Sequence, residues 1–204
     1  MESRLSVALV DDDPVFLFEM THRLEDRGLT VRSFRDGKRL FDTLDRGAAF
    51  DTICSDVRMP EMSGLELQQR LSATMCPIPL ILFTAHADID SAVLAIKAGA
   101  SDFLPKPLDP DRLIKSVKYA VETARDAAQR RRQLALFAER VSELSDRHRQ
   151  VLRLMVEGMT SKQIASALDI NHRTVENYRA VVMEKIGVGS VAQLVRLMLE
   201  IERQ

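Results

Sequence analysis

The sequence predicts two folds in succession: a parallel α/β domain over residues 1–124, a helical linker over 125–143 and an all-α domain over 144–204. Three observations carry that division. Short apolar runs alternate with amphipathic stretches in the first part, the pattern of βα units on a parallel sheet. From Asp111 no Gly or Pro occurs until Gly158, an interval that favours one long helix. Beyond it, short apolar-periodic segments follow capping residues, with glycine stops at Gly158 and Gly187.

Five strands are expected, at Val7–Val10, Leu29–Phe34, Thr52–Cys54, Leu80–Phe83 and Ser101–Leu104, the second being the weakest run. The stretches between them, Val15–Arg27, Lys38–Leu44, Leu65–Leu71 and Ile89–Ala98, place apolar residues at helical spacing. After Asp111, the residues Leu113, Val117, Ala120, Ala124, Ala127, Arg131, Leu134, Ala138 and Val141 alternate steps of four and three. That is a heptad seam with one charged interruption. Two readings of 111–143 stay open: a coiled coil or rigid spacer of ~50 Å at ~1.5 Å per residue, or a last α/β helix running into a solvated linker. The Arg130-Arg131-Arg132 cluster reads as a solvated face. In the all-α part, helices are expected at about 146–157 after Ser145, 161–168 after Thr160 or Ser161, 172–186 after Asn171, and 190–202. Short helices with tight turns fit a helix-turn-helix.

Hydrophobic content of 46% with 29% charged residues is ordinary for a soluble globular protein. No apolar run approaches the ~20 residues that span a bilayer, and Met-Glu-Ser-Arg-Leu lacks the apolar core of a signal peptide; a cytoplasmic protein without membrane contact is expected. Cys54 and Cys76 form no metal spacing and read as unpaired thiols. The net charge of −1 hides an asymmetry: 15 Lys and Arg stand against 20 Asp and Glu over residues 1–124, and 14 against 10 over 125–204. An acidic front suits a cation and a basic back suits a polyanion.

Four segments at the carboxyl ends of the expected strands carry the chemistry: Val-Asp-Asp-Asp at 10–13, Ser-Asp-Val-Arg-Met-Pro at 55–60, Phe-Thr-Ala at 83–85 and Leu-Pro-Lys-Pro at 104–107. On a parallel sheet such ends converge on one pocket. Crowded carboxylates there repel one another unless a cation neutralises them, which points to a divalent cation and a phosphoryl group, with Asp56 as acceptor.

These segments resemble the receiver domain of two-component response regulators, of the FixJ- and NarL-like class, a flavodoxin-like fold. The resemblance implies that Asp56 is the phosphoacceptor and that Asp11 and Asp12 are the acidic pair holding Mg²⁺ or Mn²⁺. The Arg58 main-chain carbonyl is then a further metal ligand, Thr84 the hydroxyl that binds a phosphoryl oxygen, Lys106 its cationic partner and Phe103 the switch aromatic. It also implies a cis Lys106–Pro107 bond. Asp13 is surplus to the pair, and His86 reads as a solvated loop residue. An aspartate-nucleophile phosphatase places a second acid two residues after its nucleophile, where Arg58 stands.

In the last part, the strings Leu-Ser-Asp-Arg, Gly-Met-Thr-Ser-Lys-Gln-Ile-Ala, Ile-Asn-His-Arg-Thr-Val-Glu-Asn-Tyr and Lys-Ile-Gly-Val look like the LuxR-type DNA-binding module. The resemblance makes 172–186 the recognition helix, with Ile164, Ala165, Leu168, Val175 and Ile186 in the core. Arg173, Glu176, Asn177 and Ala180 would face base edges, and Lys162, Arg179 and Lys185 phosphates, with Thr174 adding a backbone contact. Glu176 reads equally well as a helix-surface partner of Arg173 or Arg179. His148 and Gln150 replace glutamates common in this module, and Tyr178 a frequent histidine. The family implies a histidine kinase, double-stranded DNA with an inverted-repeat site, RNA polymerase and a homodimer on phosphorylation. Pairing would run through Val93, Lys97, Asp102 and the helix from Asp111, and through the last helix. Phosphotransfer would be self-catalysed rather than enzymatic turnover. The rival reading is a DNA-binding protein whose receiver only dimerises or docks, independently of phosphate.

Overall fold

The computed structural model describes residues 4–74, 76–86 and 88–202. Strands β1 (Ser6–Val10), β2 (Thr30–Phe34), β3 (Thr52–Asp56), β4 (Leu80–Thr84) and β5 (Asp102–Pro105) form one sheet in the order β2-β1-β3-β4-β5. Every neighbouring pair is parallel, as the alternating pattern predicts. Helices α1 (Pro14–Glu25), α2 (Gly37–Asp45), α3 (Gly64–Ala73) and α4 (Ile89–Lys97) connect the strands, and α5 (Pro110–Ser142) follows β5.

The central strands β1, β3 and β4 are buried on both faces because each face has its own helical cover, whereas the edge strands β2 and β5 are partly exposed. On one side Val7, Leu9, Cys54, Ile81, Phe83 and Leu104 pack with Leu17, Met20 and Leu24 of α1 and Leu113, Val117, Ala120 and Val121 of α5. On the other, Ala8, Val10, Ile53, Leu80 and Leu82 pack with Leu40 and Phe41 of α2, Leu67 and Leu71 of α3 and Ala95 of α4. Cys54 is free and fully buried, and burial pushes its thiol up to about 12. Side-chain caps start the helices: Asp13, Asp36 and Asp88 accept from the first turns of α1, α2 and α4, and Ser63 with Glu66 forms a capping box on α3.

The chain divides into two compact units between Asp126 and Ala127. In the second, α6 (Asp146–Val156), α7 (Ser161–Leu168), α8 (His172–Ile186) and α9 (Val191–Ile201) close around Val151, Leu152, Met155, Ile164, Val175, Val182, Ile186 and Leu194. Ser145, Thr160, Asn171 and Ser190 are the N-caps. Leu134 and Phe137, from the end of α5, belong to this core. The heptad seam is therefore not one continuous apolar stripe. Its first residues pack in the α/β unit, Leu134 packs in the helical unit, and Ala127 and Arg131 between them are exposed. The arginine cluster also departs from a purely solvated face: Arg130 forms a bidentate ion pair with Glu200 of α9.

Candidate functional site

The strand order reverses between β1 and β3, the crevice where ligands sit in this kind of sheet. Asp11 and Asp12 leave β1 there and Asp56 ends β3. Oxygens of these three carboxylates lie within 4.8 Å of one another. Octahedral Mg²⁺ with bonds near 2.1 Å sets opposite oxygens roughly 4.2 Å apart, so an all-oxygen set of this size fits a small hard cation with slight closure. Asp56 Oδ1 is buried with no hydrogen-bond partner among the described residues. A buried oxygen without a hydrogen bond is costly; Lys106 Nζ, 3.6 Å from it, offsets its charge only in part, and a bound cation would satisfy it. Asp13 plays a different part, as its side chain accepts from the Val15 and Phe16 amides at 2.8 and 3.3 Å and caps α1.

Lys106 supplies the positive charge. Its Nζ lies 2.6 Å from Asp11 and 3.6 Å from Asp56, over the rings of Phe16 at 4.3 Å and Phe83 at 5.2 Å. The Lys106–Pro107 bond is cis, and the Lys106 N–H donates to the Thr84 carbonyl at 2.8 Å, joining the ends of β4 and β5. Burial raises the Asp11 carboxyl above its ordinary range, with Lys106 opposing. Burial likewise raises Asp56; Lys106 lowers it, the Asp11 charge raises it, and the Arg58 N–H lowers it. The Arg58 main chain thus lies against Asp56 while its side chain is exposed.

Thr84 is buried, and its Oγ1 accepts from the exposed His86 N–H at 3.2 Å. The hydroxyl proton is left without an acceptor among the described residues. Leu82 pairs with Phe103 and Thr84 with Pro105 across β4 and β5, so with the two-residue alternation of strands Phe103 shares the Thr84 face. Phe103 is half-buried against the α2–α4 side.

Two contributors are not visible in the sequence pattern. Phe16 walls Lys106, and its position on the first turn of an amphipathic helix resembles any core residue. Gly64 opens α3, where a Cβ would overlap the Asp56 carbonyl oxygen and crowd Leu82. Its visible trace is a lone glycine just after a serine cap and before an apolar-periodic run.

In the helical unit, α7 and α8 are joined across a three-residue turn in which Asp169 takes a left-handed conformation, φ 51°. Lys162, Arg173, Glu176, Asn177, Ala180 and Lys185 are exposed, and Arg179 is half-buried. Thr174 is committed to the cap of α8: its hydroxyl donates to Asn171 Oδ1 at 2.8 Å. Glu176 pairs with neither arginine; His172 Nε2 lies 3.8 Å from its carboxylate. Two of the positions that depart from the LuxR pattern meet, His148 packing edge-on against Tyr178 at 5.2 Å. No helix among the described residues is long and apolar enough to cross a membrane.

Residues 7–118 match the family model of the response regulator receiver domain, and 142–198 that of the bacterial regulatory proteins of the luxR family. This chain belongs to the two-component response regulators of FixJ-like type. It is 39% identical over 197 residues to the transcriptional regulatory protein FixJ of Bradyrhizobium diazoefficiens, covering 97% of this chain and 96% of that one. It is 36% identical over 198 residues to the response regulator protein TodT of Pseudomonas putida, covering 97% and 87%. Among solved structures, the response regulator StyR superposes with a TM-score of 0.74 at 34% identity, covering 96% of this chain and 98% of that one. Full-length FixJ from B. japonicum gives 0.61 at 37%, covering 99% of each. The response regulator therefore joins a receiver to a LuxR-type DNA-binding domain and acts in transcriptional regulation.

Proposed function

We propose that Asp56 is the reversible phosphate carrier of this response regulator, that a sensor histidine kinase supplies the phosphoryl group, and that the phosphorylated receiver alters dimerisation and DNA binding. The observation carrying this reading is the convergence of Asp11, Asp12 and Asp56 beside the Lys106 ammonium, with Asp56 Oδ1 making no hydrogen bond among the described residues and only a 3.6 Å ion pair with Lys106. An Asp56 oxygen attacks phosphorus; the new P–O bond forms as the P–N bond to the donor imidazole breaks, and that nitrogen keeps the electron pair. Mg²⁺ or Mn²⁺, held by Asp11, Asp12, Asp56 and the Arg58 main-chain carbonyl, would supply charge neutralisation for the transferring oxygens. Lys106 adds a second cation on the chain's own account. Thr84, whose hydroxyl proton meets no acceptor among the described residues, donates to a phosphoryl oxygen and moves toward it, and Phe103 on the same sheet face turns into the vacated space. The chemistry is self-catalysed transfer to one residue rather than turnover on a free substrate.

The output follows from α8. Lys162, Arg179 and Lys185 neutralise phosphates, and Arg173, Glu176 and Asn177 meet base edges, Asn suiting adenine and Glu cytosine. Thr174 serves by holding the cap of α8. Pairing of receivers through Val93, Lys97, Asp102 and α5, and of DNA-binding domains through α9, predicts an inverted repeat with half-sites one helical turn apart. Such a protein works in the cytoplasm, with RNA polymerase as its further partner.

The test is labelling with radioactive acetyl phosphate and Mg²⁺, wild type against Asp56→Asn, followed by a DNA titration of both at fixed salt. Label on the wild type alone, with a shift in DNA affinity, supports the reading. An unlabelled wild type overturns it; label without altered affinity leaves the receiver as a docking module.

A further inference from the structure

Five described glycines have positive φ: Gly28, Gly47, Gly99, Gly158 and Gly187. At the first four a Cβ would meet nothing within 4 Å, so conformation alone explains the residue. At Gly187 a Cβ would fall on Arg140 Nη1. The guanidinium fills the space that any other side chain would need.

Arg140 comes from the last turns of α5, and its Nη1 donates to the Ile186 carbonyl at 3.0 Å. Ile186 is the final residue of α8. The chain's own turn serves two of the preceding carbonyls: Gly187 N–H donates to Met183 and Glu184, and Val188 N–H to Met183. The Ile186 carbonyl is served by Arg140. A helix ends in unpaired carbonyls carrying partial negative charge, which a cation stabilises. The same end of α5 is fixed at two further places, by Arg130 on Glu200 and by Phe137 in the helical core.

We propose that Arg140 is a positioning residue for DNA recognition, setting the pose of α8 by capping its C-terminus from the linker helix. This rests on the reading of α8 as the DNA-contacting helix. Arg140 itself touches no base; it determines where Arg173 and Asn177 stand.

The experiment uses the full chain with acetyl phosphate and Mg²⁺. A duplex selected by the wild type from a randomised pool is titrated beside a scrambled duplex over a salt series. Arg140→Gln is expected to lower the ratio of specific to non-specific affinity about threefold to tenfold, leaving non-specific affinity and the salt slope unchanged. Arg140→Lys restores most of the ratio by returning the cation. Arg140→Met, which keeps the aliphatic stem and removes the guanidinium, lowers it again and decides the matter if Arg140→Gln does not fold. Equal losses on both duplexes with a shallower salt slope would make Arg140 a phosphate contact and overturn the proposal, as would an unchanged ratio in Arg140→Gln and Arg140→Met. If Asn177→Ala and Arg173→Ala also leave the ratio intact, the reading of α8 itself has failed and the proposal falls with it.

Discussion

The two units of this response regulator build function in opposite ways. The receiver brings together side chains as far apart in sequence as Asp11 and Lys106, 95 positions, at one crevice of the sheet, with Asp11 and Asp56 buried, Lys106 half-buried and Asp12 exposed. The DNA-binding unit spreads its candidate contacts over the exposed face of a 15-residue helix and the start of its neighbour. A convergent buried site is over-determined: backbone, charge and packing all fix it, and single changes should be severe. An exposed face is additive, each residue counting little, and is vulnerable chiefly through the core beneath it.

Phe137→Ala presses hardest on that distinction, because the residue lies on α5 yet is buried in the helical core, 4% exposed. Emptying such a site costs about 3–5 kcal/mol. Calorimetry should show the melting of the DNA-binding unit lowered and that of the receiver unchanged. If both transitions move together, the two units do not fold independently and the contrast between them weakens. Gly64→Ala attacks the receiver in the same spirit. Its methyl would strike the Asp56 carbonyl, for which overpacking suggests about 2–3 kcal/mol. Urea unfolding measures that cost, and acetyl phosphate labelling should fall with it because the phosphoacceptor backbone has to shift.

Asp56→Asn should act with the opposite sign on stability. In metal-free protein the buried carboxylates of Asp11 and Asp56 repel one another, and both are raised by burial. A carboxyl raised in the folded state binds its proton more tightly there than when unfolded, so the fold loses stability as pH rises from about 4 through the shifted range. The asparagine removes that penalty. With chelator at pH 7 the variant should be about 1 kcal/mol more stable, a few degrees in Tm, and the advantage should vanish below about pH 4. Added Mg²⁺ should stabilise the wild type and leave the variant nearly unmoved. A variant no more stable than wild type under chelation would show that the crevice is better solvated than its geometry implies.

How much of this is legible in the sequence follows the same divide. Asp11, Asp12, Asp56, Thr84 and Lys106 stand at strand ends, and once the runs at Val7–Val10, Thr52–Cys54 and Leu80–Phe83 read as parallel strands their convergence is forced by topology. Sequence periodicity is blind to what packs on what. It therefore reads Leu113 to Val141 as one seam, although Leu113 and Leu134 are buried in different cores, and it reads Arg130 as solvated although Glu200, 70 residues away, pairs with it. Gly64 and Gly187 look like a helix start and a helix stop. That each also admits a neighbouring group is a three-dimensional fact that no local spacing records.

The smallest effect belongs to the exposed face. Lys162 lies on the first turn of α7, exposed. As a phosphate contact it contributes through counterion release, so Lys162→Ala should weaken specific and scrambled duplexes alike and reduce the slope of log affinity against log salt by about 0.9. The loss at moderate salt should be a few-fold, with no change in Tm or in labelling of Asp56. Asn177→Ala is the matched comparison, since a base contact lowers affinity for the selected duplex and leaves both the scrambled duplex and the salt slope alone. If the two variants behave identically, the division of the face into phosphate and base contacts is wrong. Distinct behaviour would mean that the additive surface, like the convergent site, gives each residue its own role, with far smaller consequences for losing one.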